Sequence, residues 1–127
     1  TRVWLGDSMG EMPAYFAVAN LAVMGGTLLP FGGQNLIEAA ACSCPVLVGP
    51  HSFNFTQATE DAIAGGAARR VSDADSAADE AMNLLADAIA LQTMRDAASS
   101  FSQAHRGATA RTMGLIREAM AQHKRIV

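Results

Sequence analysis

The sequence predicts an α/β domain in which helices cover both faces of a parallel sheet. Short, continuous apolar runs alternate with longer stretches of helical periodicity along the first half of the chain. Continuous runs are typical of strands that are buried on both faces, as they are in parallel sheets. Glycines follow several of these runs. Because ligands of such sheets bind at the carboxyl ends of the strands, the glycine loops mark the predicted functional edge.

Three short apolar runs predict strands over residues 3–5, 21–24 and 45–48. Each run is continuous rather than alternating, which favours a strand over an exposed loop. A last strand, over residues 68–71, is predicted at an edge of the sheet.

Helices are predicted between these strands. Pro13 is compatible with the first turn of a short helix over residues 11–19. A loop over residues 27–34 precedes a helix over 35–42, and a helix over 55–64 stops at two glycines.

The chain after Asp73 is predicted to be helical. Apolar residues recur there at helical spacing, and those of the first helix are predicted to face the core. Ser76 and Asp79 have the spacing of a capping box. A polar junction at residues 99–103 separates this helix from a final helix that begins near Gly107. The two predicted apolar stripes are Ala78, Met82, Leu85 and Ile89 in the first helix, and Met113, Ile116 and Met120 in the last.

Composition limits the functional classes. A length of 127 residues suits one domain, and a net charge of −3 argues against a nucleic-acid surface. No apolar stretch approaches the roughly 20 residues of a membrane helix. Cys42 and Cys44 flank a single residue, which strains a disulfide, so we expect reduced thiols. No metal-binding cluster is visible, and no cofactor is predicted.

Two glycine pairs and a glutamate point to a ligand site. Gly25 and Gly26 follow an apolar run, and Gly32 and Gly33 open a predicted helix. Glycine lets a backbone approach a ligand, and a helix start offers free N–H groups to a phosphate. Glu38 lies one turn into that helix, where it suits a sugar diol. The segment therefore predicts a nucleotide-sugar site.

A purely structural interpretation of the same helix start is also open. Asn35 and Glu38 have the spacing of an N-cap and its capping-box partner. Asn35 is able to cap the helix while neighbouring N–H groups face a phosphate, so the two interpretations are compatible for this residue.

Four motifs in order resemble the C-terminal domain of the bacterial 3-deoxy-D-manno-octulosonic acid (Kdo) transferases. They are GDSMGE at 6–11, GGTL at 25–28, GGQNLIE at 32–38 and GPHSFNF at 49–55. These enzymes are inverting glycosyltransferases of the GT-B type, which transfer Kdo from CMP-Kdo to a lipid A precursor in lipopolysaccharide biosynthesis. The chain departs from the family pattern at Ser8, Gln34, Leu36 and Ala39, where the family often has Thr, His, Pro and Pro.

The resemblance implies a Rossmann-like three-layer domain, the C-terminal half of a GT-B fold, over residues 1–127. It implies donor binding by Gly25, Gly26, Gly32, Gly33, Asn35 and Glu38. Further candidates for donor contact are Ser8, Met9, Gly10, Glu11, His51 and Asn54.

The resemblance also implies that the catalytic base and the acceptor site lie in an N-terminal domain absent from this sequence. We therefore expect no catalytic residue in the chain, no transferase activity from it alone, and a full-length enzyme at the cytoplasmic face of the inner membrane. Uncovered apolar residues of the last helix predict weak self-association.

Two other functions remain compatible with the residues. One is the donor domain of another GT-B enzyme, such as a UDP-sugar transferase or epimerase. The other is a nucleotide-binding module without catalytic activity. A dinucleotide-binding domain is disfavoured because no GxGxxG follows the first predicted strand.

Overall fold

A three-stranded parallel sheet organises the computed structural model, which describes residues 2–126. The strands are β1 (Ala22–Met24), β2 (Val46–Val48) and β3 (Ala68–Arg70), arranged in the order β1-β2-β3. Val46 of the central strand is aligned with Ala22 on one side and with Ala68 on the other. The predicted α/β class, its parallel sheet and the edge position of β3 are confirmed.

Five α-helices pack around this sheet within residues 2–126, and short 3-10 turns follow β1 and precede α3. The helices are α1 (Met12–Val18), α2 (Ile37–Ala41), α3 (Thr56–Ala64), α4 (Ala74–Ala86) and α5 (Ala88–Ile126). Proline stands in the first turn of α1, as its sequence predicts. None of the helices within the described residues is both long and apolar enough to cross a bilayer.

The central strand β2 separates two apolar clusters. Val46 and Val48 belong to the cluster that includes Phe16 of α1 and Leu36 before α2. Leu47, on the opposite face, belongs to the cluster with Leu84 of α4. All three β2 side chains are buried, which explains why the run is continuous rather than alternating. Each buried side chain contributes about 1.5–3 kcal/mol of transfer free energy.

The two cysteines are free, as predicted. Cys44 lies in the first apolar cluster and Cys42 packs at its margin. Burial raises the pKa of the Cys44 thiol, while the nearby Arg95 opposes that shift. A buried thiol of this kind behaves as a small apolar side chain.

The prediction of a strand at residues 3–5 is wrong. This segment has no regular structure, and its apolar side chains are 81–88% exposed. A strand forms only where a neighbour pairs with its N–H and C=O groups. Within residues 2–126, β1 is paired with β2 alone, so the segment has no ladder partner.

The predicted core stripe of α4 is also wrong. Met82 and Leu85 of α4, and Ile89 at the start of α5, are each more than half exposed, and α4 packs on the sheet through Ala77 and Leu84 instead. The two stripes are offset by one residue, and periodicity alone does not choose between them. The buried stripe uses a small alanine, which lets α4 approach the sheet closely.

The capping box of α4 lies three residues earlier than predicted. The Ser76 N–H donates to Asp73 Oδ1 at 2.8 Å, and the Asp73 N–H donates to Ser76 Oγ at 3.0 Å. Ser76 is therefore the reciprocal partner of Asp73 rather than the cap itself. Hydrogen bonds to the carboxylate from the Ser76 N–H, and then from the Ser76 side chain and the Asp75 N–H, lower the pKa of the Asp73 carboxyl.

The predicted junction at residues 99–103 does not exist, because α5 runs through it without a break. Ser102 is buried, and Ala98 and Phe101 pack with the core beside α2. Tertiary packing thus outweighs the weak helix propensity of the serines. Beyond this contact the helix leaves the sheet, and the predicted stripe of Met113, Ile116 and Met120 is exposed rather than covered by the sheet.

Removal of the α4 cap should destabilise the domain in a pH-dependent way. We expect Asp73→Ala to lower the melting temperature at neutral pH, and Asp73→Asn to lower it less, because asparagine also caps. A carboxyl with a lowered folded-state pKa stabilises the fold above its unfolded-state pKa. The difference between wild type and Asp73→Asn should therefore shrink as pH falls through the folded-state pKa. Thermal denaturation monitored by circular dichroism tests this, and a pH-independent difference would contradict it.

Candidate functional site

The three parallel strands end at one edge of the sheet, and the predicted site residues follow them. The loop after β1 spans residues 25–36, and the loop after β2 spans residues 49–55. The structure brings these two loops into direct contact. Their packing decides which of the predicted residues face outward and which hold the loops together.

Thr27 is the buried link between the two loops. Its hydroxyl donates to the Met24 carbonyl and accepts from the Gly49 N–H at 2.7 Å. Its own carbonyl accepts from the His51 N–H at 2.9 Å. Thr27 was not among the predicted site residues. One sequence pattern could have revealed Thr27: a small polar residue that follows a glycine pair at the end of a strand.

Asn54 holds the second glycine pair in place. Its side-chain Nδ2 donates to the Phe31 carbonyl at 3.2 Å and to the Gly33 carbonyl at 3.3 Å. Its main-chain N–H donates to the Gly32 carbonyl at 3.1 Å. Asn54, a predicted candidate for donor contact, is thus a positioning residue for the glycine loop in this structure.

The second glycine pair is required by its own backbone. Gly32 has φ of +89° and Gly33 has φ of +79°, a region that favours glycine. A Cβ on Gly33 would lie 2.6 Å from the Thr27 methyl carbon, and one on Gly32 would lie 2.6 Å from the Asn54 side chain. Both glycines therefore allow the loop to fold tightly on its supports.

The two residues of the first glycine pair have different surroundings. A Cβ on Gly25 would meet nothing within 4 Å, and one on Gly26 would lie 3.7 Å from the Gly33 Cα. The two pairs are therefore neighbours, as the predicted site requires. Gly25 and Gly26 line a cleft of about 290 Å³ together with Gln34, and α1 closes its far wall with Met12.

Asn35 and Glu38 do not form the capping box that their spacing left open as a structural interpretation. The Asn35 side-chain oxygen accepts from the Ile37 N–H at 3.0 Å, so Asn35 does support the helix start. Glu38 makes no hydrogen bond to Asn35 within residues 2–126, and the Glu38 side chain is exposed in the first turn of α2. The buried face of α2 is formed by Leu36, Ala39 and their neighbours, so the carboxylate points away from the core.

Main-chain N–H groups are available beside the cleft. Those of Gly33, Gln34 and Asn35 donate no hydrogen bond within the part of the chain that the structure describes. Such a run of free N–H groups in a glycine turn is typical of anion-binding loops. The α2 helix has only five residues, so local N–H groups matter more here than a helix macrodipole.

The segment before α1 is less closely tied to the cleft. Ser8 Oγ donates to Glu11 Oε2 at 2.7 Å and lies 3.3 Å from the Tyr15 hydroxyl. Met9 is fully exposed. Gly10 has φ of +79°, and a Cβ on it would meet nothing within 4 Å. No hydrogen bond within residues 2–126 joins these candidates to the glycine pairs, and only the following helix reaches the cleft.

Arg70 is a supporting residue that the sequence did not reveal. At the end of β3, it donates to the Gly49 carbonyl at 2.7 Å and to Glu60 Oε1 at 2.6 Å. It thereby braces the β2 loop from the side opposite Thr27. The half-buried His51 lies in the same loop, and its imidazole has no hydrogen-bond partner within residues 2–126. The described residues contain no group of three potential metal ligands.

Comparisons with known proteins place this arrangement in a family. No protein-family model matches the chain. A 3-deoxy-D-manno-octulosonic acid transferase of Bordetella pertussis is 52% identical over 116 residues, which is 91% of this chain. The chain belongs to the Kdo transferase family. A Haemophilus influenzae Kdo transferase is 44% identical over 57 residues, or 45% of this chain.

A solved structure identifies the part of the Kdo transferases to which the chain corresponds. The crystal structure of the C-terminal CMP-Kdo binding domain of WaaA from Acinetobacter baumannii has a TM-score of 0.76 and 33% identity. The match covers 81% of this chain and 54% of that one. The chain spans about a quarter of its B. pertussis relative, since the alignment covers 27% of that protein. The predicted resemblance and the Rossmann-like fold class are confirmed.

The different roles of the two glycine pairs make a direct prediction. Gly33→Ala should lower the free energy of unfolding by about 1–3 kcal/mol, because alanine resists the positive φ and meets Thr27. The matched change Gly25→Ala enters open space and should alter the free energy by no more than about 0.5 kcal/mol. Urea denaturation of both variants measures the difference. Equal destabilisation would show that the second pair is not under this constraint.

Proposed function

We propose that residues 1–127 form the donor-binding domain of a glycosyltransferase that takes Kdo from CMP-Kdo. The observation that carries this proposal is the match to a CMP-Kdo binding domain over 81% of the chain. The cleft that runs along β1 to the glycine pair at its carboxyl end also supports it, because ligands of parallel α/β sheets bind at the carboxyl ends of the strands.

The CMP phosphate binds, in this proposal, to the main-chain N–H groups that follow the second glycine pair. Gly33, Gln34 and Asn35 offer three such groups, and Thr27 with Asn54 holds the loop that carries them. Negative charge on the phosphate grows as the bond to Kdo breaks. Donors that are already in place stabilise that charge without reorganisation, which is how such groups accelerate a reaction. Gly25 and Gly26 let the sugar approach the backbone.

Glu38 binds the ribose hydroxyls in this proposal. Its carboxylate is exposed one turn after the N–H groups, and it is not used by a capping box. A carboxylate that accepts two hydroxyl hydrogen bonds fixes the nucleoside and so aligns the bond that breaks. Ser8, Met9, Gly10, Glu11 and His51 remain candidates for secondary contacts.

The remaining parts of the reaction are assigned to the rest of the protein. The chain covers about a quarter of its B. pertussis relative. An N-terminal domain would bind the lipid A precursor and supply the base that removes its hydroxyl proton. Closure of the two domains would bring donor and acceptor together at the cytoplasmic face of the inner membrane. The 127-residue chain alone should therefore lack transferase activity.

Titration with CMP tests the donor site. Amide chemical shifts of the isotope-labelled chain should move for residues 25–38 when CMP is added, and UDP should cause smaller changes at the same concentration. Clustering of the shifts at residues 113–120 would contradict the site. Tighter binding of UDP would instead favour another GT-B enzyme of the UDP-sugar type.

The role of Glu38 has its own test. Glu38→Gln should weaken CMP binding about tenfold, because a hydrogen bond to a charged group contributes roughly 1.5–3 kcal/mol and the amide retains part of it. Glu118→Gln, also an exposed helical carboxylate, is the matched control and should leave the affinity unchanged. Calorimetry with CMP measures both. Loss of folding in Glu38→Gln with unchanged CMP affinity would assign the residue to helix capping.

A further inference from the structure

The hydrogen-bond ladder between β1 and β2 ends differently from the ladder between β2 and β3. Val48 is paired with Arg70, and the Val48 carbonyl accepts directly from the Val71 N–H at 2.7 Å. Met24 is paired with Val48, so the corresponding donor for the Met24 carbonyl is the Gly49 N–H. The evenly spaced bonds of a parallel pair would join these two groups directly.

The Thr27 hydroxyl stands between these two groups instead. The Ala22 N–H donates to the Pro45 carbonyl at 2.9 Å, so the Met24 carbonyl, two residues later, also points at β2. The Gly49 N–H donates to Thr27 Oγ1 at 2.7 Å, and this hydroxyl donates to the Met24 carbonyl. An inserted oxygen holds donor and acceptor further apart than the roughly 2.9 Å of a direct bond. The two strands are thus held apart where their loops begin.

The direction of the inserted hydrogen bonds is fixed by their main-chain partners. A main-chain N–H only donates, and a carbonyl only accepts. The hydroxyl must therefore accept from Gly49 and donate to Met24, and another side chain at position 27 replaces it only if it does both. Serine meets this requirement. Valine has nearly the shape of threonine but lacks the hydroxyl.

Thr27 also contacts the second glycine pair. Its methyl carbon lies 2.6 Å from the position of a Cβ on Gly33, and its carbonyl accepts from the His51 N–H at 2.9 Å. Gly33 carries the first of the free main-chain N–H groups beside the cleft. Thr27 is only 2% exposed, and all these partners lie inside the domain. The contacts therefore do not depend on what covers the outer surface.

We propose that Thr27 is a positioning residue for the donor phosphate. Its hydroxyl sets the separation of the β1 and β2 loops, and that separation directs the N–H groups of Gly33, Gln34 and Asn35 at the phosphate. Thr27 itself is buried and does not touch the donor. This inference rests on the proposed donor function and adds the group that sets the geometry of its phosphate site.

Removal of the hydroxyl would displace the loops in one of two ways. The Gly49 N–H and the Met24 carbonyl would pair directly, which draws the strand ends together. Otherwise both groups would stay buried without a partner, which weakens the contact between the loops. In each case Gly33 loses the support that holds its N–H group in place.

Substitutions in the full-length enzyme that contains this chain test the proposal. Thr27→Ser keeps the inserted hydroxyl, and its CMP affinity should stay near wild type. Thr27→Val removes the hydroxyl and should weaken CMP binding about tenfold or more. Thr59→Val is the matched control, because Thr59 is equally buried, at 2% exposed, but lies in α3 outside both loops. Calorimetry with CMP measures all three, and the control should bind like wild type.

Hydrogen–deuterium exchange measured by mass spectrometry separates positioning from a purely structural role. Without CMP, the segment over residues 49–51 should exchange faster in Thr27→Val than in wild type, and Thr27→Ser should restore its protection. Added CMP should protect residues 25–38 in wild type and in Thr27→Ser, and protect them less in Thr27→Val.

Thr27→Ala keeps the test decisive if the valine variant does not fold. Alanine leaves room for a water that bridges Gly49 and Met24, so its CMP affinity should lie below that of Thr27→Ser and above that of Thr27→Val. Unchanged affinity in Thr27→Ala and Thr27→Val, or an equal loss in Thr27→Ser or Thr59→Val, would overturn the inference. Absence of CMP binding by wild type would instead refute the donor function on which it rests.

Discussion

The close approach of the loops after β1 and β2 is the constraint on which the site depends. The buried Thr27 hydroxyl accepts from the Gly49 N–H, and the two main chains are so near that a Cβ on Gly49 would overlap the Thr27 carbonyl oxygen. Breaking this contact would leave buried polar groups unpaired, which costs about 1–3 kcal/mol per group. The contact therefore makes one rigid unit of two loops that would otherwise move separately.

This rigid unit determines what the glycine loops can do. Asn54 donates a hydrogen bond to Gly33 of the second pair, and Arg70 donates one to Gly49 of the β2 loop. Free main-chain N–H groups remain beside the cleft, held by neighbours that are themselves hydrogen-bonded. Fixed donors of this kind are effective for a developing anionic charge, because no rearrangement accompanies the reaction. The proposed donor function thus rests on supporting residues as much as on those that face the cleft.

The domain body and the end of α5 differ in their tertiary cover. The body buries apolar residues on both faces of β2. Met113, Ile116 and Met120, near the end of α5, have no such cover within the described residues. Because most helical stability in proteins comes from the packing of an apolar face, this part of α5 depends on local helix propensity.

The sequence by itself determined the α/β class, the strands at β1, β2 and β3, and the two glycine pairs at one edge. Those features depend on local composition, such as the continuous apolar run of the buried strand β2 and the glycines of the second pair, where φ is positive. Only the tertiary structure decided that residues 3–5 lack a strand partner, that α4 buries Ala77 rather than Met82, and that α5 is continuous. Only it revealed Thr27 and Arg70 as supports. Each of these outcomes depends on which distant group lies opposite a residue, and local spacing carries no information about that partner.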